Sequence, residues 1–384
     1  MQFKRNINLA KVLQRKSVLL LGPRRTGKSY YIRHQLGKHK LYDLLHSDQF
    51  QQLSIRPSLI RESLTPTDKL IVIDEIQKLP ALMDEVHAMI ETTGTRFLLT
   101  GSSLRKLKRN YTSLMAGRAK TLYLFPLTFA EIDKHYDLGR VLQYGALPSI
   151  YLSEQPWDEL GSYVGDYLKE EIQAEAYVRK IHNFSRFVRT AALMNGELIN
   201  FEKVAIDAQV PPRTVREYFS LLEDTLIGTM LVPYQSGRKI TSASRKPVAH
   251  AKFYFFDLGV TNRLVGRSQL VAGTPEYGRA LEHLIFLELK AYLSYSQSEH
   301  TLYFWRTQTG QEVDFVMPDR LALEVKSSQL VDGRDLKALQ NFSEIHSIPR
   351  AIVVANEPKP RKLGRIEILP IRDFLHQLWS GKIV

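Results

Sequence analysis

Short apolar runs that stop at a glycine or at acidic residues recur through the first part of the chain. Ser17–Leu21 runs into a glycine, and Lys69–Ile73 runs into two acidic residues. Similar runs occupy residues 40–44, 95–103 and 121–125. Consecutive apolar positions are typical of parallel strands that are buried on both faces. Because segments with helical spacing, such as residues 81–92, lie between these runs, the pattern predicts an α/β domain with a parallel sheet over residues 1–150.

The first of these runs leads into a segment that fits the phosphate-binding pattern G-x-x-x-x-G-K-[ST]. Its residues are Gly22, Pro23, Arg24, Arg25, Thr26, Gly27, Lys28 and Ser29. The two glycines let backbone N–H groups point inward at a β-phosphate, while Lys28 would neutralise the β and γ oxygens and Ser29 would ligate Mg²⁺. A chance glycine turn is the alternative, but the strand before the segment and the helix after it suit the motif. We therefore predict an ATP and Mg²⁺ site whose contacts include this whole segment and Tyr30.

Two further strand ends carry polar residues that suit nucleotide hydrolysis. Asp74 would hold Mg²⁺ directly or through water, and Glu75 would polarise the attacking water. Two solvated acids on an edge strand are the alternative. The run over residues 95–103 ends in Ser102 and Ser103, either of which could contact the γ-phosphate or the attacking water. A turn that caps the next helix explains these serines equally well, so the choice between them stays open.

Gly117 and Arg118 close a predicted helix just before the last apolar run of this region. From the residues alone, Arg118 is an ordinary surface arginine that the helix dipole favours. The order of phosphate loop, Asp-Glu strand, hydroxyl-tipped strand and Gly-Arg pair, however, resembles AAA-type ATPases. The resemblance implies that Arg118 is an arginine finger that acts on the γ-phosphate of a neighbouring subunit, and that the protein forms a homo-oligomer such as a ring. It favours Ser102 slightly over Ser103.

Two phrases further along resemble one prokaryotic subgroup of these ATPases. They are the residues 124–131, Leu-Phe-Pro-Leu-Thr-Phe-Ala-Glu, and the residues 144–148, Tyr-Gly-Ala-Leu-Pro. Members of the subgroup carry a C-terminal domain of unassigned function, so the resemblance covers nearly the whole chain. Ala146 departs mildly from the subgroup, which often has glycine at this position.

Residues 151–265 are predicted to form a helical lid and a winged-helix domain. A long helical segment with a polar face over residues 157–179 is interpreted as the lid over the nucleotide. Two short helices joined by a tight turn follow, as in a helix-turn-helix. Arg213 and Arg216 lie where base-reading residues would be, and the basic residues 236–246 would form the wing. A winged helix that serves only for packing is the alternative, because the fold does not settle the function.

Residues 266–384 are predicted to form a second α/β domain, in which a helix precedes three strands. Glu282 lies on the helix, Asp314 lies on the second strand, and Glu324 and Lys326 lie on the third. The period of two along a strand puts Glu324 and Lys326 on the same face. Three carboxylates could hold one or two Mg²⁺ or Mn²⁺ ions that activate water, while the lysine neutralises the developing charge.

This order of Glu, Asp and Glu-x-Lys resembles the PD-(D/E)xK nuclease fold, which the C-terminal domain of the ATPase subgroup also resembles. The resemblance implies metal-dependent cleavage of DNA. A degenerate nuclease fold kept for DNA binding or assembly is the alternative, and Asp314 with Lys326 could be an ordinary cross-strand pair. The basic segment over residues 359–362 is predicted to be a solvated connector.

The composition of the chain indicates how many domains it forms, which kind of partner it binds and in which compartment we expect it. With 384 residues, the chain is long enough for two or three domains, and its lack of cysteine excludes disulfides and zinc–thiolate sites. The net charge of +13 favours a polyanionic partner, with DNA as the leading candidate. No secretory signal or spanning segment is evident, so we expect a cytoplasmic protein without a membrane partner.

The sequence therefore predicts an AAA-type protein that binds and hydrolyses ATP and acts on DNA, with a metal-dependent, nuclease-like C-terminal domain. The alternative is a regulatory switch that alternates between ATP and ADP, binds a protein partner and carries an inactive nuclease-like domain.

Overall fold

Five parallel strands form the sheet that the apolar runs predict near the amino terminus. The computed structural model describes residues 2–103, 117–167, 181–235 and 251–384. The five strands are β1 (Ser17–Leu21), β2 (Lys40–Asp43), β3 (Leu70–Asp74), β4 (Arg96–Gly101) and β5 (Ala119–Tyr123). Their order across the sheet is β2-β3-β4-β1-β5, and every pairing is parallel. The carboxyl ends of β1, β3 and β4 therefore meet at one edge of the sheet, where α/β folds bind their ligands.

Helices cover this sheet on both faces. They are α1 (Leu9–Leu13), α2 (Lys28–Gln35), α3 (Ser47–Ile55), α4 (Leu59–Glu62) and α5 (Leu82–Thr93), with a 3₁₀ turn over Ile76–Lys78. Ile71 and Ile73 of β3 belong to the core that includes Val86 of α5, whereas Val72 belongs to the opposite core with Ile32 of α2. Adjacent residues of a strand point to opposite faces, so a continuous apolar run fills both cores.

Helices dominate the middle of the chain. They are α6 (Phe129–Ile132), α7 (Leu138–Tyr144), α8 (Pro148–Leu152), α9 (Pro156–Ser162), α10 (Ile181–Leu193), α11 (Phe201–Ala208), α12 (Pro212–Asp224) and α13 (Leu258–Val265), with a 3₁₀ turn over Asp133–His135. The antiparallel strands β6 (Gly228–Leu231) and β7 (Lys252–Phe255) lie between α12 and α13. The Asn200 side chain caps α11, and Pro212 begins α12 at a position where no N–H is needed. These two helices match the predicted helix pair, whereas the predicted wing lies outside the described residues.

The predicted lid is helical in its described part, but its geometry changes along the chain. The α-helix α9 ends at Ser162, and a π-helical turn over Tyr163–Tyr167 follows it. Such π turns often occur at functional sites. Residues 168–180, which include the rest of the predicted lid, lie outside the described residues.

The buried residue Asp257 connects residues 144–148 to α13. Asp257 accepts hydrogen bonds from the backbone N–H of Val260 at 3.0 Å and of Ala146 at 2.8 Å. Burial raises the pKa of Asp257 to about 6, although these hydrogen bonds act in the opposite direction. We call this contact between residues 144–148 and α13 the Asp257 joint. It requires a glycine at position 259, because a Cβ there would lie 2.0 Å from the carbonyl oxygen of Tyr144.

A mixed sheet of six strands forms the carboxyl-terminal part. Its elements are α14 (Pro275–Tyr295), β8 (Tyr303–Arg306), β9 (Glu312–Met317), β10 (Leu321–Lys326), α15 (Lys337–His346), β11 (Arg350–Ala355), β12 (Arg361–Leu363), β13 (Ile366–Pro370) and α16 (Ile371–Trp379). The strand order is β12-β13-β11-β10-β9-β8, in which β10, β11 and β13 are parallel and the other pairings are antiparallel. Side chains of α14 and α16 share one core, and side chains of α15 belong to a second core. The predicted helix and the three strands after it are therefore present.

The prediction that residues 359–362 form a solvated connector is wrong for Arg361. This residue begins β12 and donates hydrogen bonds to Glu357 at 2.7 Å and to the carbonyl oxygen of Val331 at 2.6 Å. The hydrogen bonds from Arg361 lower the pKa of the Glu357 carboxyl, which is itself buried. Within the basic run, Arg361 therefore has a structural role, because it holds the loop that contains Val331.

The helix α14 extends over 21 residues but carries several charged side chains along its length. Glu282, Glu288 and Lys290 are among them. Neither α14 nor any other helix in the described ranges is both long enough and apolar enough to cross a bilayer.

We predict that Gly259→Ala destabilises the protein. The added methyl group would meet the backbone of Tyr144, which cannot move without breaking the Asp257 hydrogen bonds. Overpacking of this kind typically costs about 1–3 kcal/mol, and chemical denaturation would measure it. Gly139→Ala is the matched control, because Gly139 is an exposed residue of α7 whose Cβ would have an ordinary contact distance of 3.4 Å. Equal stability of the two variants would contradict the role of this joint.

Candidate functional site

The phosphate loop lies between β1 and α2, with its backbone folded around the start of the helix. Gly27 has a φ of +95°, a conformation that other residues rarely adopt. The Thr26 hydroxyl donates to the carbonyl oxygen of Pro23 at 2.8 Å, which closes the loop. Since α2 begins at Lys28, the N–H groups of its first turn point towards the loop that precedes the helix. The arrangement suits the binding of an anion.

Lys28 lies over the same concave side. Its Nζ donates to the carbonyl oxygens of Gly22 at 2.7 Å and of Pro23 at 3.1 Å, and the residue is buried. The ammonium is therefore held by loop carbonyls, for which the oxygens of a bound phosphate would substitute. This is the position from which a lysine neutralises β and γ oxygens.

Oxygen ligands that suit Mg²⁺ lie beside Lys28. Ser29 donates to Asp74 Oδ2 at 2.7 Å, and Thr100 donates to the other oxygen of the same carboxylate. Hydroxyl and carboxylate oxygens are the donors that Mg²⁺ prefers, so this pair fits the ion that ATP carries. Sequence reasoning missed Thr100, although its position at the end of β4, beside the carboxyl end of β3, is the signal that could have identified it.

Glu75 follows Asp74 in a strained conformation. Its backbone has φ 60° and ψ 45°, which is unusual for a residue other than glycine and is typical of functional sites. Its N–H donates to Thr100 Oγ1 at 3.1 Å. Its carboxylate accepts hydrogen bonds from Gln77 Nε2 and, at 3.2 Å, from Ser102 Oγ. The structure thus brings Glu75 and Ser102 together, as a hydrolytic site requires.

Gln77 is a second residue that sequence reasoning missed. Its Nε2 lies 3.0 Å from Ser102 Oγ, so that one amide group contacts both Glu75 and Ser102. Its Oε1 is buried and has no hydrogen-bond partner among the described residues. Buried acceptors are usually satisfied, so this oxygen is suited to accept from a water molecule beside Glu75. The position of Gln77, two residues after the Asp-Glu pair, was the available signal.

The remaining predicted nucleotide contacts lie on the outer side of the loop. Arg25 pairs with Glu159 of α9 at 3.1 Å, and its guanidinium lies 5.5 Å from the centre of the Tyr163 ring. The Arg24 carbonyl oxygen accepts from the Tyr163 hydroxyl at 3.5 Å. Tyr30 is 44% exposed, and its ring lies 4.3 Å from the His34 ring at an angle of 41°. The loop therefore touches the described part of the predicted lid. The alternative serine, Ser103, is buried next to Ser102.

Arg118 lies far from the phosphate loop of its own chain. The next residue, Ala119, pairs with Ser17 at the amino end of the parallel sheet, whereas the loop follows the carboxyl end of β1. The Arg118 guanidinium donates to Glu91 at 2.9 Å. Within one chain, the structure does not bring Arg118 to the other predicted site residues.

A buried arginine supports the phosphate loop from behind. Arg5 donates to the carbonyl oxygen of Thr26 at 2.6 Å, to Glu131 Oε1 at 3.0 Å and to the Tyr295 hydroxyl at 3.1 Å. It also donates to the carbonyl oxygen of Phe125, two residues after β5, at 2.6 Å. One guanidinium therefore joins the loop to α6 and to the carboxyl end of α14. Sequence reasoning missed Arg5, because its partners lie up to 290 residues away.

The predicted nuclease residues also converge. The acidic cluster, as we call it, comprises Glu282 of α14, Glu312 and Asp314 of β9, and Glu324 of β10. Burial raises the pKa of Asp314 well above its ordinary value, and Glu324 and Glu282 raise it further. Lys326 donates to Glu324 Oε1 at 2.8 Å, so this lysine pairs with the neighbouring acid on its own strand. Glu312 was not predicted.

A lysine from β7 lies within the acidic cluster. Lys252 Nζ is 2.9 Å from Glu282 and 2.6 Å from Glu312. Burial opposes its charge, but the surrounding hydroxyl and carboxylates raise the pKa of Lys252 well above its ordinary value. In the described part of the chain, no group of three or more acidic or histidine side chains is arranged to hold a metal ion. Because the Lys252 ammonium lies between Glu282 and Asp314, these predicted Mg²⁺ or Mn²⁺ ligands do not fit a divalent cation in this arrangement.

The two arginines predicted to read bases lie near the start of α12. Arg213 has 90% of its side chain exposed and pairs with Glu217 on the same helix at 3.2 Å. Arg216 lies over the Phe201 ring, 4.9 Å from its centre, and 4.0 Å from Glu202. Both are accessible, and surface pairs of this kind are weak enough to be exchanged for a ligand.

Comparison with known families agrees with the parallel sheet and the phosphate loop. Residues 14–133 match the model of an AAA domain. The class that the fold and the site support is thus an AAA-type P-loop ATPase, for which ATP and Mg²⁺ are the expected ligands. Residues 135–270 and 277–374 match two domains of unknown function, DUF8612 and DUF4143 respectively.

Two curated proteins resemble the chain over most of its length. An uncharacterised protein of Haemophilus influenzae is 24% identical over 400 residues, which cover 94% of each chain. An uncharacterised protein of Methanocaldococcus jannaschii is 24% identical over 339 residues, or 80% of this chain and 73% of that protein. A chain from the structure of Drosophila ORC bound to AT-rich DNA and Cdc6 aligns with 68% of this chain and 89% of its own length, at 8% identity and a TM-score of 0.22. A score this low supports no inference.

We predict that Gln77→Ala lowers kcat for ATP hydrolysis while ATP affinity stays unchanged. Gln77 contacts Glu75 and Ser102 but none of the loop residues described above, so its loss should misplace the acid and the water without weakening phosphate binding. A misplaced catalytic group can cost up to about a hundredfold in rate. Phosphate release and nucleotide titration measure the two quantities, and Gln51→Ala on the exposed face of α3 is the control. A change in affinity with unchanged kcat would contradict this role.

Proposed function

We propose that this chain hydrolyses ATP at the phosphate loop and uses the hydrolysis as a conformational switch. The observation that carries the proposal is the convergence of Ser29, Asp74 and Glu75 beside the loop, at the ends of adjacent elements. Ser29 and Asp74 would hold Mg²⁺, which neutralises charge on the phosphate oxygens. Lys28 would bind the β and γ oxygens, and Glu75 would orient the attacking water and accept its proton.

The switch would act through the contacts of the loop with its surroundings. On the outer side, Arg25 joins the loop to Glu159 and Tyr163 of the predicted lid. Behind the loop, Arg5 joins Thr26 to Tyr295 of the carboxyl-terminal helix α14. A change in loop geometry between the ATP-bound and ADP-bound states would therefore alter the contacts with both the predicted lid and α14. Differential contacts of this kind are what a two-state element requires.

We further propose that the protein works as a homo-oligomer, such as a ring. Arg118 lies at the edge of the sheet opposite the phosphate loop, so a role as an arginine finger requires a neighbouring subunit. Its partner Glu91 is half exposed, so the pair is accessible to exchange for a phosphate. An arginine supplied by a neighbour would offset the transition-state charge.

DNA is the proposed partner of the middle helices. The net charge of +13 and the accessible Arg213 and Arg216 at the start of α12 support it.

For the carboxyl-terminal domain we propose a nuclease-like module, supported by its element order and by the position of Lys326 beside Glu324. We propose that it does not cleave DNA, because Lys252 already lies within its acidic cluster. This combines a DNA partner with the inactive domain of the alternative function.

Two variants test the ATPase proposal by separating binding from turnover. Lys28→Ala should weaken ATP binding and abolish turnover, since it removes the charge held inside the loop. Glu75→Gln should keep ATP affinity but lower kcat by about a hundredfold or more, because an amide does not accept the proton of water. Phosphate release and equilibrium binding measure these effects, with the exposed Glu154→Gln as a matched control. Full turnover in Glu75→Gln would refute the assignment.

The DNA proposal predicts duplex binding that weakens steeply as the salt concentration rises. The double variant Arg213→Ala, Arg216→Ala should bind less tightly, and its log–log slope against salt should be less steep by about one per lost phosphate contact. Fluorescence anisotropy with a labelled duplex measures both. The control is Arg334→Ala, which removes an arginine about as exposed as Arg213 from another part of the fold. Absence of binding at low salt would favour a protein partner instead.

A further inference from the structure

Lys252 lies inside the acidic cluster although it belongs to the middle part of the fold. Its Nζ is 2.9 Å from Glu282 Oε1, 2.6 Å from Glu312 Oε1 and 3.8 Å from Asp314 Oδ1. Only 3% of its side chain is exposed. The first two distances are typical of hydrogen bonds between an ammonium and a carboxylate. The ammonium therefore occupies the point on which these three carboxylates converge.

The backbone fixes Lys252 at this point. Lys252 pairs with Leu231 in the β6–β7 ladder. The residues on either side, Ala251 and Phe253, accept backbone hydrogen bonds from the segment 196–199 at 2.9 and 2.8 Å. The side chain cannot leave the cluster without a large rearrangement of this strand, because it is enclosed on nearly all sides. The strand pairing and the burial of the side chain thus place the ammonium inside the cluster.

Among the cations of the described ranges that face the acidic cluster, Lys252 is the one that reaches its interior. Lys326 pairs with Glu324 from a position where 30% of its side chain is exposed. Arg306 pairs with Glu312 at 2.6 Å and is 42% exposed. Buried carboxylates destabilise a fold unless a nearby positive charge compensates them. Lys252 supplies that charge on the side of the cluster that solvent does not reach.

The same oxygens are not free for a divalent cation. Mg²⁺ requires oxygen ligands at about 2.0–2.1 Å in octahedral geometry, and Lys252 Nζ occupies the space between them. Glu282 Oε1 also accepts a hydrogen bond from the Tyr254 hydroxyl at 2.5 Å, so both of its donors come from β7. Glu324 Oε2 is buried without a partner in the described part of the chain, but one oxygen does not form a metal site.

We infer that Lys252 is the resident counter-ion of the acidic cluster and takes the place of a divalent cation between Glu282, Glu312 and Asp314. The cluster then joins the middle part of the fold to the carboxyl-terminal domain, in the way that a bound metal would join them. A nuclease-like arrangement is kept, but its cation is a side chain. Removal of the ammonium should convert the cluster into a divalent-cation site. This inference concerns the cluster alone, so it does not depend on ATP hydrolysis.

The test counts Mn²⁺ ions bound to the full chain without nucleotide, by electron paramagnetic resonance, and records unfolding temperatures in EDTA and in MnCl₂. The wild-type chain should bind no Mn²⁺ at this cluster, and its unfolding temperature should not respond to Mn²⁺. Lys252→Met should unfold at a lower temperature in EDTA, bind one Mn²⁺ and recover stability with it. Lys252→Met combined with Asp314→Asn should lose this recovery.

The matched control is Lys362→Met, an exposed lysine of β12 that should behave as the wild type does. Wild-type Mn²⁺ binding that Asp314→Asn removes would overturn the inference. So would a Lys252→Met chain that is fully stable in EDTA and binds no Mn²⁺. If Lys252→Met fails to fold, the wild-type measurement with Asp314→Asn still decides whether the cluster takes up a divalent cation. An unchanged ATPase rate in these variants would keep the result separate from the hydrolysis proposal.

Discussion

The buried ion pair between Arg5 and Glu131 is the interaction on which the arrangement of the three parts depends. Both side chains are almost fully enclosed, so loss of either partner would leave a charge without solvent or a counter-ion. Glu131 also accepts from the backbone N–H of Asn6 and Thr128, at 2.7 and 3.0 Å, which fixes the amino-terminal segment to α6. The phosphate loop rests against this assembly through Thr26. Phosphate binding is therefore connected to the rest of the molecule by charge and geometry rather than by a flexible linker.

The local features of the fold were predictable from the sequence because they depend on neighbouring residues. The run Ser17–Leu21 is continuous and apolar because its strand is buried on both faces, and the loop after it needs glycine for its backbone geometry. Asp74, Glu75 and Ser102 were predicted to lie together for a similar reason, since each lies at the end of a predicted strand. Parallel strands bring such ends to one edge, so their proximity follows from the pattern alone.

The residues that were missed act through contacts that no local pattern encodes. Arg5 lies 290 residues from Tyr295, and Lys252 reaches carboxylates that belong to another part of the fold. Gln77 is close to Glu75 in sequence, but its role depends on Ser102, which lies on the neighbouring strand. The carboxyl-terminal acids were correctly placed together, yet their chemistry was not predictable, because a charge from β7 changes what the cluster can bind. The sequence pattern predicted where these acids lie, but it did not predict the charged group that lies among them.

The carboxylates and the ammonium of the acidic cluster come from different parts of the chain, which affects the study of truncated forms of this protein. The carboxylates come from the last part of the chain, but the ammonium that compensates them comes from the strand Lys252–Phe255, and the hydrophobic core around α14 also includes Phe129 and Tyr254. A recombinant fragment that starts near residue 266 would therefore contain an acidic interior without its cation and an apolar surface without its cover. Such a fragment would be a poor surrogate for the domain in the intact chain, and any metal affinity it displayed would be an artefact of truncation.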